Sequence, residues 1–208
     1  MTRIQKTVFI SLALVALIVG LALSRVFDRP ADLDPARLVE AGIVLLPQAR
    51  TLPELSLINQ DGEAVQVDQL TGRWSLLFFG YTFCPDICPT TLVDLRRVKE
   101  MLPVELAERL QPILVSVDPQ RDTPEQLKQY LSYFKSGFQG LTGPLADIQK
   151  LANSVGIPFI PADGKSENYT VDHSGNLAII GPDGRQRGFI RGPLKVEQLA
   201  EQLQPLIR

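Results

Sequence analysis

The amino-acid sequence predicts an α/β fold: a partly parallel sheet with crossover helices, extended at its N-terminal side by a hairpin, carrying an inserted helical segment and preceded by one transmembrane helix. Three observations lead there. Two mostly apolar runs, Trp74–Phe79 and Ile113–Val117, each broken by one serine, are strands of the kind buried on both faces, and between them Leu92, Val93, Leu95, Val98 and Leu102 recur at helical spacing. A strand–helix–strand unit of this sort implies parallel pairing. Near the end of the chain, Leu177–Ile180 and Gly188–Arg191 flank Gly-Pro-Asp-Gly, a hairpin signal. At its start, Thr7–Leu23 is a run of 17 residues whose only polar members are Thr7 and Ser11.

That first run is at the short end of what spans a bilayer, roughly 17–25 residues. Arg3 and Lys6 precede it, which by the positive-inside rule leaves the N-terminus in the cytoplasm and sends the body across. The rival reading is a cleaved signal peptide with Ala22-Leu23-Ser24 as its cleavage site; the length of the run favours a retained anchor over residues 1–25. Either way the body is exported, facing the periplasm of a bacterial inner membrane. Residues 26–50, with Pro30, Pro35 and Pro47 and a short apolar patch at Ile43–Leu46, read as a stalk, and the folded domain is expected over 51–208.

Within that domain, Leu55–Ile58 and Ala64–Val67 around Asp61-Gly62 read as the N-terminal hairpin. A helix follows Trp74–Phe79 and is stopped by Pro103, and Val104–Leu110 adds a short turn or helix. Thr123-Pro124 is a cap followed by proline at the first helical position, so a helix runs to about Phe134. Ser132–Pro144, with three glycines and three aromatics, has no periodicity and reads as a loop open to a partner. Asp147–Val155 and Lys195–Leu206 complete the helices. The order matches the thioredoxin arrangement.

Charge excludes one class of partner. The 208 residues carry a net charge of −2; setting aside Arg3, Lys6 and Arg25 leaves 18 basic against 23 acidic residues, with no basic stripe for nucleic acid.

The chain has two cysteines, Cys84 and Cys88, and one histidine, His173. Pro89 belongs at the first position of a helix and Cys88 at the cap before it, so both sulfurs lie at a helix N-terminus, where the dipole favours thiolate. Three uses compete. A structural disulfide fits an oxidising compartment, but a loop of three intervening residues adds little constraint. A purely redox dithiol would more typically be Cys-x-x-Cys, whereas Cys-x-x-x-Cys lets both sulfurs face one ion. The third use adds His173, in Tyr169-Thr-Val-Asp-His-Ser-Gly before a strand, in a loop that lies against the thiol turn in thioredoxin-like folds. Two thiolates and an imidazole suit Cu(I) and can hold Cu(II); zinc with a water as fourth ligand stays open. Asp118 ends a strand at the same sheet edge and reads as a turn cap or as a group orienting His173. Asp86 and Asp172 flank candidate ligands, and Tyr81 and Phe83 are either core or an apolar docking rim.

Three motifs carry a family resemblance: Phe-Gly-Tyr-Thr-Phe-Cys84-Pro-Asp-Ile-Cys88-Pro-Thr-Thr-Leu, Ser116-Val-Asp118-Pro-Gln-Arg-Asp-Thr-Pro-Glu, and Val171-Asp-His173-Ser. In this order they resemble the Sco/SenC copper proteins over about residues 50–208. The resemblance implies copper, as Cu(I) or Cu(II), held by Cys84, Cys88 and His173. It also implies a metallochaperone that helps assemble the dinuclear copper centre of cytochrome c oxidase on subunit II. A periplasmic copper donor and a thioredoxin-like reductant are the further partners it suggests. Members are also credited with thiol-disulfide reductase activity, so a membrane-tethered reductase using Cys84 and Cys88 as its redox pair is the alternative.

Overall fold

The structure, a computed structural model, describes residues 33–162 and 169–208, with Val15 alone before them. The expected anchor, Thr7–Leu23, and the first part of the expected stalk thus lie, Val15 apart, outside the described residues. Among those described, no helix is long and apolar enough to cross a membrane.

Strand β4, Trp74–Gly80, is the apolar run of the sequence, and from Ser75 to Gly80 every residue is buried. It pairs in parallel with β5, Leu110–Ser116, in the register Trp74 to Leu110 through Gly80 to Ser116. The crossover holds two helices, α2 (Ile87–Met101) and α3 (Val104–Arg109), separated at Pro103. On its other edge β4 pairs antiparallel with β7, Leu177–Ile180, which continues through the turn at Gly184 into β8, Arg185–Ile190. Helix α4, Pro124–Ser132, opens as its sequence demands: the Thr123 hydroxyl accepts from Gln126 N at 3.2 Å, with proline at the first position. Helices α5 (Leu145–Ser154) and α6 (Val196–Ile207) follow, and α6 packs on α2.

Two strands run through stretches expected to be irregular. Residues 34–50, part of the predicted stalk, form helix α1 (Pro35–Glu40) and most of strand β1 (Ile43–Thr51), which pairs antiparallel with β8. Ile43 is fully buried, so the compact unit begins at Asp34 rather than near residue 51. Pro47 is tolerated because β1 is an edge strand and its register breaks between Leu45 and Arg50. Within Ser132–Pro144, Gln139–Thr142 is strand β6, parallel to β5, so that stretch carries a strand of the sheet and is not a loop throughout. The expected hairpin, β2 (Ser56–Asn59) and β3 (Ala64–Gln66), joins the same sheet through β6. The strand order is β1-β8-β7-β4-β5-β6-β2-β3, with the parallel pairs at the centre.

Candidate metal centre

The chain leaves the carboxyl end of β4 at Gly80, and a turn over Tyr81–Asp86 delivers it to α2. The turn closes by Cys84 N donating to Tyr81 O at 3.3 Å, and α2 starts with Thr90 N donating to Asp86 O at 3.3 Å. Asp86 is therefore the cap, Cys88 the second helical residue and Pro89 the third, two positions deeper than the sequence suggested. Proline is still tolerated there, because the first turn's N–H groups have no intrahelical acceptors. Cys88 is fully buried and its Sγ accepts from Tyr81 N at 3.4 Å; Cys84, at the mouth of the turn, is 8% exposed.

His173 arrives from the segment before β7. Ile160 N donates to Asp172 O at 3.0 Å, and Val171 N donates to the Tyr81 hydroxyl at 3.3 Å, which ties this segment to the thiol turn. The imidazole lies edge-on to Tyr81 and Phe78, with ring centroids 5.5 and 6.0 Å away. Its Nδ1 is 3.3 Å from Ser174 O, which can only accept, so Nδ1 carries the proton. Nε2, the other ring nitrogen, is the one left to face the sulfurs, and it lies 3.5 Å from Cys88 Sγ across 85 positions of sequence. Both cysteines are free, and the two sulfurs and an imidazole nitrogen all lie within 4.8 Å of one another.

The thiols are electrostatically unequal. A hydrogen bond from the Cys88 thiol is the main influence lowering Cys84, whose pKa falls from 9.0 to about 4. Cys88 is pushed up, first by that same bond and then by burial. One proton thus serves both sulfurs, on Cys88, while Cys84 is the thiolate. Burial raises Tyr81, a neutral ring against the site.

The remaining sequence candidates divide by position. Asp86 and Asp172 are exposed beside the donors, Tyr81 is buried, and Phe83 is 53% exposed, so only the last of the two aromatics forms a rim. Asp118 does not touch His173; its carboxylate holds Arg121 and the Tyr169 hydroxyl. Sequence reasoning passed over Asp122. This fully buried carboxylate accepts from Thr82 N (3.0 Å), the Thr82 hydroxyl (2.7 Å) and the Ser116 hydroxyl (2.7 Å), and burial raises its pKa. Its only sequence signal is a second acid four residues after Asp118. A cleft of about 330 Å³ adjoins the thiol turn, lined by Asp86, Ile87, Thr90 and Asp94 on one side and Gly175 and Gly192 on the other.

The donor set fits a single soft ion. Three donors on bonds of roughly 2.0–2.3 Å about one ion lie about 3.7–4.0 Å apart, so a cluster whose donors all lie within 4.8 Å of one another needs at most about 1 Å of closure. The chain has no further cysteine or histidine, and three donors of this kind suit a low-coordinate soft cation better than a four-coordinate one.

Comparison with known proteins covers most of the chain. A protein of Stutzerimonas stutzeri, provisionally named as copper-binding, is 48% identical over 184 residues, 88% of each chain. The structure of Bradyrhizobium japonicum ScoI with copper bound superposes with a TM-score of 0.64 at 35% identity, covering 74% of this chain and 98% of that one. Arabidopsis thaliana ScoI with copper bound gives 0.66 at 31% identity, over 74% and 97%. Residues 45–208 match the SCO1/SenC family model. The family-model match over residues 45–208 and the relative at 48% identity place this chain, with its thioredoxin-like α/β architecture, in the SCO1/SenC family.

Proposed function

We propose that this chain binds copper through Cys84, Cys88 and His173 and acts as a copper chaperone. One observation carries the reading: the only histidine of the chain lies with Nε2 3.5 Å from Cys88 Sγ, although 85 positions separate them. The copper-bound relatives support the choice of ion. The family resemblance supports the destination, the dinuclear copper centre of cytochrome c oxidase on subunit II. A periplasmic copper donor fits the same scheme. So does a single-pass anchor at Thr7–Leu23 in a bacterial inner membrane, with the N-terminus cytoplasmic and the domain on the periplasmic side.

The chemistry required of the chain is modest. Cys84 is already a thiolate, so an incoming cation displaces one proton, that of Cys88. The imidazole offers Nε2 with no change of tautomer, because Nδ1 is engaged with Ser174 O. Oxidation of the pair to a disulfide removes two electrons and that same proton and leaves no thiolate, so copper binding is gated by redox state. Copper stoichiometry before and after oxidation tests this gate, and equal binding in both states removes it.

A second reading, a thiol-disulfide reductase acting on the oxidase subunit's cysteines and recharged by a thioredoxin-like reductant, is favoured by the same depressed Cys84. His173→Ala separates the two. It abolishes most copper binding while sparing dithiol exchange; oxidase assembly lost in cells carrying it supports the chaperone, and assembly retained supports the reductase.

A further inference from the structure

We propose that the loop between β5 and α4, residues 117–123, which supplies no metal donor, is a two-armed brace setting the distance between the thiols and His173, with Arg121 and Asp122 as positioning residues. The inference builds on the copper-binding reading above. The donors come from two segments far apart in sequence; the pairing of β4 with β7 and the bond from Val171 N to the Tyr81 hydroxyl bring them side by side, and the loop holds the turn of Cys84 and Cys88 and the segment of His173 from a third side. Both segments are tied to this loop.

One arm reaches the thiol turn. Asp122, with no exposure, grips Thr82 through its backbone N–H and its hydroxyl, two residues before Cys84. Gln126 of α4 donates to the same hydroxyl at 3.1 Å. The other arm reaches the histidine segment. Arg121 Nη2 donates to Tyr169 O at 3.1 Å, and its guanidinium carbon lies 3.7 Å from the Tyr169 ring centroid. Asp118, 4% exposed, completes the arm: its carboxylate pairs with Arg121 Nε and accepts from the Tyr169 hydroxyl at 2.7 Å. Arg121 also lies 5.0 Å from the ring of Phe83, next to Cys84, so one cation faces an aromatic from each half of the site.

The arms share a stiff root. Arg121 N and Asp122 N both donate to Asp118 O, at 3.2 and 3.0 Å, and Asp118 N donates to the Ser116 hydroxyl, whose own proton goes to Asp122. A displacement of Tyr169 therefore carries over to His173, four residues on, while the thiol turn stays fixed to Asp122. Partners that orient metal ligands from behind change affinity by roughly 10–100-fold when removed.

The test uses the full chain, loaded with Cu(II), as wild type, Arg121→Met, Arg121→Lys, Tyr169→Phe and His173→Ala, read by nitrogen hyperfine coupling in electron paramagnetic resonance and by competition for copper. Arg121→Met weakens Cu(II) binding roughly 10–100-fold and loses the imidazole coupling. Free imidazole restores both, as in His173→Ala, and the thiol titre stays at two per chain. Arg121→Lys, which keeps the charge without the planar fork, recovers binding only in part. Wild-type coupling in Arg121→Met, or a loss that imidazole does not repair, overturns the brace. Should Arg121→Met fail to fold, Tyr169→Phe decides: weakened coupling supports the brace and unchanged coupling overturns it. A wild-type chain without nitrogen coupling refutes the metal reading itself, and the brace with it.

Discussion

Gly80 is the residue whose replacement tests the buried sulfur most directly. A Cβ built on Gly80 would lie 2.6 Å from Cys88 Sγ, 3.0 Å from Phe78 Cε1 and 3.2 Å from Leu114 Cδ1. Ordinary contact between such atoms begins near 3.5 Å, so in Gly80→Ala the sulfur must retreat by about 1 Å, whereas Phe78 and Leu114 need yield only a few tenths. Overpacking of this size costs about 1–3 kcal/mol. The same displacement spoils a donor set whose Cys88–His173 separation is 3.5 Å, so copper affinity falls as well. Urea denaturation of the reduced, metal-free protein measures the cost in a double-mutant cycle with Cys88→Ala. Removing the sulfur relieves the tightest contact and leaves the other two, so Gly80→Ala costs less in that background, by on the order of 1 kcal/mol. Equal cost in both backgrounds, within about 0.5 kcal/mol, would refute the claim that Cys88 Sγ sits against this glycine.

Four further outcomes are expected. A chain that begins at Asp34 retains the thermal stability of the full domain. One that begins at Leu52 loses β1, bares the edge of β8 with the fully buried Ile190, and aggregates in light scattering; equal behaviour of the two returns residues 34–51 to the role of a stalk. With Cys84 depressed from 9.0 to about 4, this group has lost its proton in the folded metal-free protein but keeps it in the unfolded chain between those values. The Cys84 contribution to stability accordingly rises with pH through this window and is lost as pH falls through about 4, with the raised Asp122 opposing it at the acid end, while the raised Cys88 gives a falling contribution above 9.0. In step with that, alkylation of Cys84 is nearly independent of pH around neutrality; a tenfold rise per pH unit, as for an ordinary thiol, contradicts the assignment. Thr123→Ala removes the cap of α4 and lowers the denaturation midpoint by an amount equivalent to about 1 kcal/mol, with no effect counting against the 3.2 Å bond to Gln126 N.

The parts of the fold legible in the sequence are those whose pattern is local. β4 and β5 carry the unbroken apolar stretches Leu76–Phe79 and Ile113–Val115 because the sheet centre buries both faces, and Thr123-Pro124 announces α4 through its own capping chemistry. β1 and β6 were hidden because their strand character comes from neighbours. The nine residues of β1 are buried at Ile43 and partly or fully exposed thereafter, with Pro47 among them, as suits an edge that only β8 defines. β6 is four residues, Gln-Gly-Leu-Thr, and its glycine reflects packing: a side chain at Gly140 would meet Leu131 Cδ1 at 2.9 Å and Leu127 Cβ at 3.3 Å from α4. At the site, Cys84, Cys88 and His173 could be named from scarcity and motif alone. Asp122 and Arg121 could not, since the groups they hold, Thr82 and Tyr169, are 40 and 48 positions away.

The gradation of exposure across the donors bears on how an ion could leave. Cys88 is buried against Gly80 and fixed by Tyr81 N, Cys84 keeps 8% of its surface at the mouth of the turn, and His173 is only half-buried. A competing thiol approaching from solvent therefore meets Cys84 and the imidazole before it can meet Cys88. Exchange from this side is stepwise, with Cys88 the last sulfur to let go. The proton arrangement agrees: Cys84 without its proton remains available to a partner, while the sulfur that retains a proton is the one solvent cannot reach. A site meant only to hold copper would gain by burying all three donors alike, because each buried donor slows exchange. The inequality seen here favours transfer, and it follows from one local cause, the placement of Cys88 in the first turn of α2 with Cys84 still in the turn before it.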